Sequence, residues 1–312
     1  MQKVIEVQNL TKVYKNGIKA VQNISFEVYE GEMFAFLGPN GAGKTTTISI
    51  LTTTLSKTSG DVKVCGYDIE KESKNVRQNI GIIFQKPSVD KDLTGEENIR
   101  FHSVLFGIIG FAPSFNLCPK NYKNKLLELA ELFDLKDYIF KPIKEYSGGM
   151  LRKLEIIRSL MHKPKILFLD EPTVGLAPEA RKTLWDYLLN IQKIEGLTIF
   201  LTTHYLDEVE NADRVCIINK GNIIALNTPR NLKREYEQKT VTFTLNESYI
   251  KIFIEIVKNL NLKYQILSAN MVKIEFTDIQ QIRSILNFEG VIDIDIVKPK
   301  LEDVYIQIIQ KE

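Results

Sequence analysis

With 312 residues, the chain is long enough for one large domain and a smaller one. Charged residues at 26% and hydrophobic ones at 44% give an ordinary globular composition, and a net charge of +2 offers no electrostatic case for nucleic acid or an anionic membrane surface. No apolar run reaches the roughly 18–20 residues that a bilayer crossing needs, and Cys65, Cys118 and Cys216 follow no metal-ligand spacing, reading as small buried apolar residues in a reducing compartment.

The amino terminus opens directly on a strand pattern, with no signal-peptide core. Residues 4–10 and 24–28 predict two antiparallel strands. Residues 32–37 form an apolar run fit for a buried strand. Then come Gly38, Pro39, Asn40, Gly41, Ala42, Gly43, Lys44 and Thr45, followed by Thr46 and a stretch able to continue as a helix. Glycines let such a loop take positive φ and turn successive N–H groups toward an anion. The helix adds its free donors and the positive end of its dipole. Lys44 is expected on the β- and γ-phosphates, and Thr45 on Mg²⁺. This segment predicts binding of a nucleoside triphosphate.

Further along, residues 82–84 form an apolar strand that ends at Gln85. Ser147, Gly148 and Gly149 open a helix and predict a second anion-binding N-terminus, assisted by a hydroxyl. A second anion site in one chain makes sense if it closes over a nucleotide held by another copy. Residues 166–169 are apolar and end in Asp170 and Glu171, as a buried parallel strand delivering two carboxylates would. Asp170 is expected to hold Mg²⁺ through its water shell, and Glu171 to polarise the attacking water as general base. Residues 199–203 form another apolar strand, ending at His204.

Together these motifs resemble the ATP-binding cassette (ABC) ATPases, in which Ser-Gly-Gly is the signature. The resemblance implies an α/β fold: a P-loop NTPase cassette with a mixed, mainly parallel sheet core, an antiparallel β subdomain and a helical subdomain at about 86–163. It implies that Gln85 belongs to a glutamine loop sensing Mg²⁺ and the attacking water, that His204 is a switch histidine contacting the γ-phosphate, and that Tyr14 stacks on adenine. The cofactors it implies are ATP and Mg²⁺. With one phosphate loop, the expected assembly is a head-to-tail homodimer formed on ATP, with separate transmembrane permease subunits. The expected location is cytoplasmic, peripheral on the inner face of the membrane, and no nucleic acid is expected. A soluble non-transport ABC ATPase and a low-turnover nucleotide-gated adaptor are the alternatives.

Two stretches stand apart. Ala177 occupies a position where the family usually carries Asp at the dimer interface, so weakened communication between sites is expected, with hydrolysis retained; Glu179 or backbone groups could instead compensate. The apolar stretch 106–115, broken by Gly107, Gly110 and Pro113, reads either as the surface that receives a helix of the membrane subunit or as a loop folded back on its own subdomain. Charged residues at Ile108 and Ile109 are the expected way to separate the two.

The cassette is expected to occupy 1–230, closing through strands at 214–218 and 223–226 around a turn at Lys220, Gly221 and Asn222, with a polar connector helix at 231–238. A small α+β domain is expected at 231–312. In it Val241, Phe243, Leu245, Val272, Ile274 and Phe276 alternate with polar residues, as do Ile292, Ile294 and Ile296 with aspartates. Ile250, Phe253, Ile254, Val257 and Leu260, then Ile282, Ile285 and Leu286, then Leu301, Val304, Tyr305 and Ile308, have helical spacing. The ending at 298–305 resembles drug-resistance (daunorubicin)-type exporter ATPases. No catalytic constellation is legible in this domain.

Overall fold

The computed structural model describes residues 2–86, 88–235, 239–276, 278–297 and 301–310. The chain divides into two compact units, Met1–Leu226 and Asn227–Glu312. The first begins with β1 (Lys3–Val13), β2 (Lys19–Tyr29), β3 (Met33–Leu37), α1 (Lys44–Leu51), β4 (Ser59–Val64) and β5 (Tyr67–Asp68). It continues with α2 (Ser73–Asn79), β6 (Ile80–Ile83), α3 (Gly95–Leu105), α4 (Lys120–Leu132), α5 (Gly148–Leu160) and β7 (Ile166–Asp170). Then follow α6 (Pro178–Glu195), β8 (Thr198–Thr203), α7 (Leu206–Val209), β9 (Arg214–Asn219) and β10 (Asn222–Asn227).

Two sheets result. One has the order β2-β1-β4-β5 and its pairings are antiparallel; the other has the order β10-β9-β3-β8-β7-β6. In the second, β9, β3, β8, β7 and β6 run parallel. Every residue of β3, β7 and β8 is buried, which is why these strands read as continuous apolar runs. Phe26 of the antiparallel sheet stacks on Phe34 of the parallel one at 5.6 Å, and Phe36, Phe168 and Phe200 complete an aromatic seam. Lys220 and Gly221, both at positive φ, make the tight β9–β10 turn.

Between β6 and β7 the chain is helical. A capping box starts α3, with Glu97 N–H donating to Thr94 Oγ1 and Thr94 N–H to Glu97 Oε2. The stretch 106–115 splits the two expectations: Ile109 is buried at 7% exposure and Ala112 is also buried, whereas Phe111 is 78% exposed and the neighbouring Leu105 84%. Ile109 is therefore an anchor of its own subdomain and corrects the choice of that residue as a docking probe. Cys118 and Cys216 are buried as expected, and Cys65 is half-buried.

The second unit contains α8 (Pro229–Glu235), β11 (Lys239–Leu245), α9 (Ile250–Asn259), β12 (Lys263–Ser268), β13 (Met271–Phe276), α10 (Ile279–Leu286), β14 (Val291–Val297) and α11 (Leu301–Gln310). Its sheet order β12-β13-β11-β14, with all pairings antiparallel, is the βαββαβ ferredoxin-like arrangement. Val241, Phe243, Val272 and Ile274 bury one face of the sheet with Phe253 and Val257 of α9 and Ile282 and Ile285 of α10. The expected connector helix belongs to this unit: α8 packs on α11 and buries Leu232. Residues 236–238 and 298–300 of the expected connector and tail lie outside the described residues.

One expectation fails on register. Ile292 is 67% exposed, not half-buried, because a bulge opposite Leu245 pairs that residue with Val291 and Thr244 with Asp293. Val291 and Ile294 then pack toward the core, while Asp293 and Asp295 face outward.

Candidate functional site

Register alone brings the expected residues together. Leu37 pairs with Thr203, Asp170 with Thr202, and Ile83 with Leu169, so β3, β8, β7 and β6 end at one level. The segments leaving those ends carry the phosphate loop, His204, Glu171 and Gln85, at the carboxyl edge where open α/β sheets receive ligands.

The loop needs its glycines. Gly43 precedes α1 at φ 109, and a Cβ there would lie 2.4 Å from the Ala20 carbonyl oxygen. The β9–β10 turn backs the loop: Gly221 N–H donates to Ala42 O at 3.0 Å, and Gln22 N–H to Gly221 O at 2.8 Å. Lys44 is buried and folds over its own loop, donating to Gly38 O at 2.8 Å and Pro39 O at 3.1 Å.

A cleft of about 410 Å³ opens beside this loop. Asn40, Gly41, Gly43, Lys44, Thr45 and Thr46 line it from one side, and Gln85, Glu171 and His204 from the other strand ends. Lys44 Nζ lies 3.3 Å from Glu171 Oε1. Gln85 Nε2 donates to Glu171 Oε2 at 3.2 Å, and His204 Nδ1 stands 3.4 Å from Oε1 without a formed hydrogen bond. Asp170 is buried behind the cleft, accepting from Thr45 Oγ1 at 3.3 Å and from Thr202 Oγ1 at 2.6 Å. Hydroxyl and carboxylate oxygens so placed are the hard donors that suit Mg²⁺ with retained waters.

Two expected groups stand apart from the cleft lining. Tyr14 is an exposed ring reached through Thr46, whose Oγ1 lies 3.2 Å from the phenol oxygen. Ser147 and Gly148 are exposed, with Gly149 half-buried, at the start of α5; Ser147 Oγ accepts from Met150 N–H at 3.2 Å. None of these three residues lines the cleft of its own chain.

A family model described as "ABC transporter" matches residues 21–174. The daunorubicin/doxorubicin resistance ATP-binding protein DrrA of Streptomyces peucetius is 38% identical over 247 residues, covering 79% of this chain and 72% of its own. The chain belongs to the ABC ATPases. A second relative, the probable multidrug ABC transporter ATP-binding protein YbhF of Escherichia coli K12, is 38% identical over 232 residues, 74% of this chain; the match spans only 38% of YbhF's length. Among solved structures, the ADP conformation of MJ1267, an ATP-binding cassette of an ABC transporter, superposes with a TM-score of 0.66 at 27% identity, covering 74% of this chain and 93% of that one.

The cassette also contains supporting residues that sequence reasoning missed. Arg152, buried on α5, donates through Nη1 to Phe84 O at 2.6 Å and through Nε to Pro172 O at 2.8 Å, and pairs with Glu155 at 3.0 Å. Its Nη2 approaches Asp170 O and Glu171 O at 3.4 Å. One guanidinium thus joins the helix opened by Ser147 to the backbone beside Gln85 and Glu171. Burial lowers the Arg152 pKa, and the Glu155 carboxylate opposes that shift. Glu208 of α7 is another buried carboxyl; burial raises its pKa, while hydrogen bonds from Thr173 and Thr203 pull the other way. For Arg152 the available signal was a charge among the apolar residues of α5, although it does not name the partner; Glu208, in a short acidic helix, carried none.

Proposed function

We propose that this chain is the ATP-binding and hydrolysing subunit of an ABC transporter, working with separate membrane subunits on the cytoplasmic face. The observation that carries this reading is the Glu171 carboxylate, held at the mouth of the phosphate loop with Lys44, Gln85 and His204 all within 3.4 Å of its oxygens. Glu171 serves as general base for the attacking water, and His204 and Lys44 face the γ-phosphate. Thr45 and Asp170 would hold Mg²⁺, which supplies charge neutralisation on the phosphate oxygens when bound.

The exposed Ser147–Gly149 segment supports a composite site. Its donors lie outside the cleft of their own chain, so they serve a nucleotide held by a second copy facing the opposite way. ATP then closes the dimer, and hydrolysis with phosphate release reopens it. Among the described residues no helix is long and apolar enough to cross a membrane, in keeping with a permease on other polypeptides. The drug-resistance name of DrrA and the multidrug name of YbhF favour export of a drug, and the tail resemblance extends the class to a lipid or polysaccharide-like substrate.

The test is Glu171→Gln, which should bind ATP, stay dimeric and release phosphate at least about 10²-fold more slowly. Turnover near that of the unaltered chain would overturn the base assignment. Ala177 is the one feature that favours a low-turnover adaptor, and the same phosphate-release measurement on the unaltered chain separates the two.

A further inference from the structure

Glu208 takes no part in lining the nucleotide cleft and is only 2% exposed, so its charge depends on local partners. It finds them in three different elements. Thr173, in the turn that leaves β7 just past Glu171, donates its hydroxyl to Oε1. Thr203, the last residue of β8, donates its hydroxyl to Oε2 at 2.5 Å. Arg181 of α6 brings Nε to 3.9 Å from Oε1 and lays its guanidinium over the Tyr205 ring, 4.2 Å from the centroid.

His204 therefore sits between two held neighbours. Tyr205 N–H donates to Thr203 Oγ1 at 2.9 Å, and the His204 and Tyr205 rings lie 4.1 Å apart. Glu171 is held as well. Its backbone is left-handed at φ 46, a conformation that a long L side chain keeps only where its surroundings impose it. Arg152 secures the carbonyl side of that turn, and the Thr173–Glu208 bond secures its far end.

We propose that Glu208 is a positioning residue, tying the turn that carries Glu171 to the strand end that carries His204. The inference rests on the reading of Glu171 and His204 given above. An ionised carboxylate only accepts hydrogen bonds, so both threonine hydroxyls must donate to it. That leaves a Thr203 lone pair for Tyr205 N–H, and the directions of the whole network are fixed. Small displacements of reacting groups cost large factors in rate, whereas nucleotide affinity depends mainly on the phosphate loop.

The experiment measures steady-state phosphate release by the full chain with ATP and Mg²⁺, alongside affinity for a non-hydrolysable ATP analogue. Thr173→Val keeps the shape and removes the hydroxyl; with Glu208→Ala it should lower kcat by about 10- to 100-fold while KM and analogue affinity stay within about 2-fold. Thr173→Ser, which retains the hydroxyl, should restore turnover, and Glu208→Gln should fall between. The double variant should be no slower than about 2-fold below the slower single one, since Glu208→Ala already breaks the bond that Thr173→Val removes. Unaltered turnover in Thr173→Val, multiplying effects in the double variant, or a parallel loss of analogue binding would overturn the inference alone. Absence of phosphate release from the unaltered chain would overturn the reading of the site, and this inference with it.

Discussion

Lys44 Nζ and Glu171 Oε1 lie 3.3 Å apart with side chains only 3% and 9% exposed, so the lysine of the phosphate loop shares its charge with the proposed base. A triphosphate competes with Glu171 for the same ammonium. On the proposed reading, its arrival would move Lys44 to the phosphate oxygens and leave the carboxylate free to accept a proton from water. Lys44→Met should abolish nucleotide binding and also destabilise the fold by about 1–3 kcal/mol, because it leaves the buried Glu171 carboxylate with the Gln85 hydrogen bond but no cation. Adding Glu171→Gln should recover most of that stability without recovering binding. Urea denaturation of the three variants beside nucleotide titration checks both halves.

Ala177 is the N-cap of α6 and supplies no side-chain acceptor, although its extended backbone has the geometry that a capping residue adopts. Ala177→Asp should raise stability by about 1 kcal/mol through a bond to an orphan N–H and the favourable end of the helix dipole. If the missing carboxylate also weakens exchange between the two sites, the same variant should raise the Hill coefficient of ATP hydrolysis. The melting temperature reports the cap, and the Hill coefficient reports the communication. An unchanged Hill coefficient and rate would discard the second idea while leaving the first.

His102 is half-buried and stacks on Phe106, with ring centroids 4.2 Å apart. Burial, with the nearby Arg158 and His162, pushes its pKa down from 6.5 to about 3. The folded protein therefore binds this proton less readily than the unfolded chain. The stability contribution is complete above pH 6.5 and is lost as pH falls toward 3, by at most about 1.4 kcal/mol per pH unit. Burial shifts His162 in the same direction. Urea midpoints measured from pH 7 to pH 5 should fall for the unaltered chain and fall less steeply for His102→Gln.

Phe106 and Phe111 are the exposed apolar residues of the segment expected to receive the membrane subunit, with Leu105 exposed just before it, whereas Ile109 is internal. Leu105→Asp with Phe111→Asp should prevent co-purification with the permease while leaving the phosphate-release rate of the isolated chain unchanged. Ile109→Asp should lower the melting temperature instead. Retention of the complex by the double Asp variant would remove this surface as the docking site.

The site was largely legible because its chemistry lies in short, contiguous runs at strand ends, where a parallel sheet needs only register to bring them together. Lys44, Thr45, Asp170, Glu171, Gln85 and His204 converge for that reason. The bracing by Arg152 and Glu208 was not legible, since the Phe84 and Pro172 carbonyls and the Thr173 hydroxyl that they meet are distant in sequence. The C-terminal strands were read from alternation, which a single extra residue defeats: the bulge at Ile292 turned that side chain outward. Ile109 misled for a related reason, because local apolarity does not say which of two adjacent isoleucines faces inward.

The Lys220–Gly221 turn has a consequence for dissecting the protein. Its amide holds Ala42 from behind and its carbonyl holds Gln22, so the phosphate loop is closed by residues downstream of every motif proposed to bind the nucleotide. A chain cut just after Asn219 would retain β9 and each side chain proposed to bind ligand yet release the loop's rear wall. Limited digestion should then separate possession of the motifs from the ability to hold ATP.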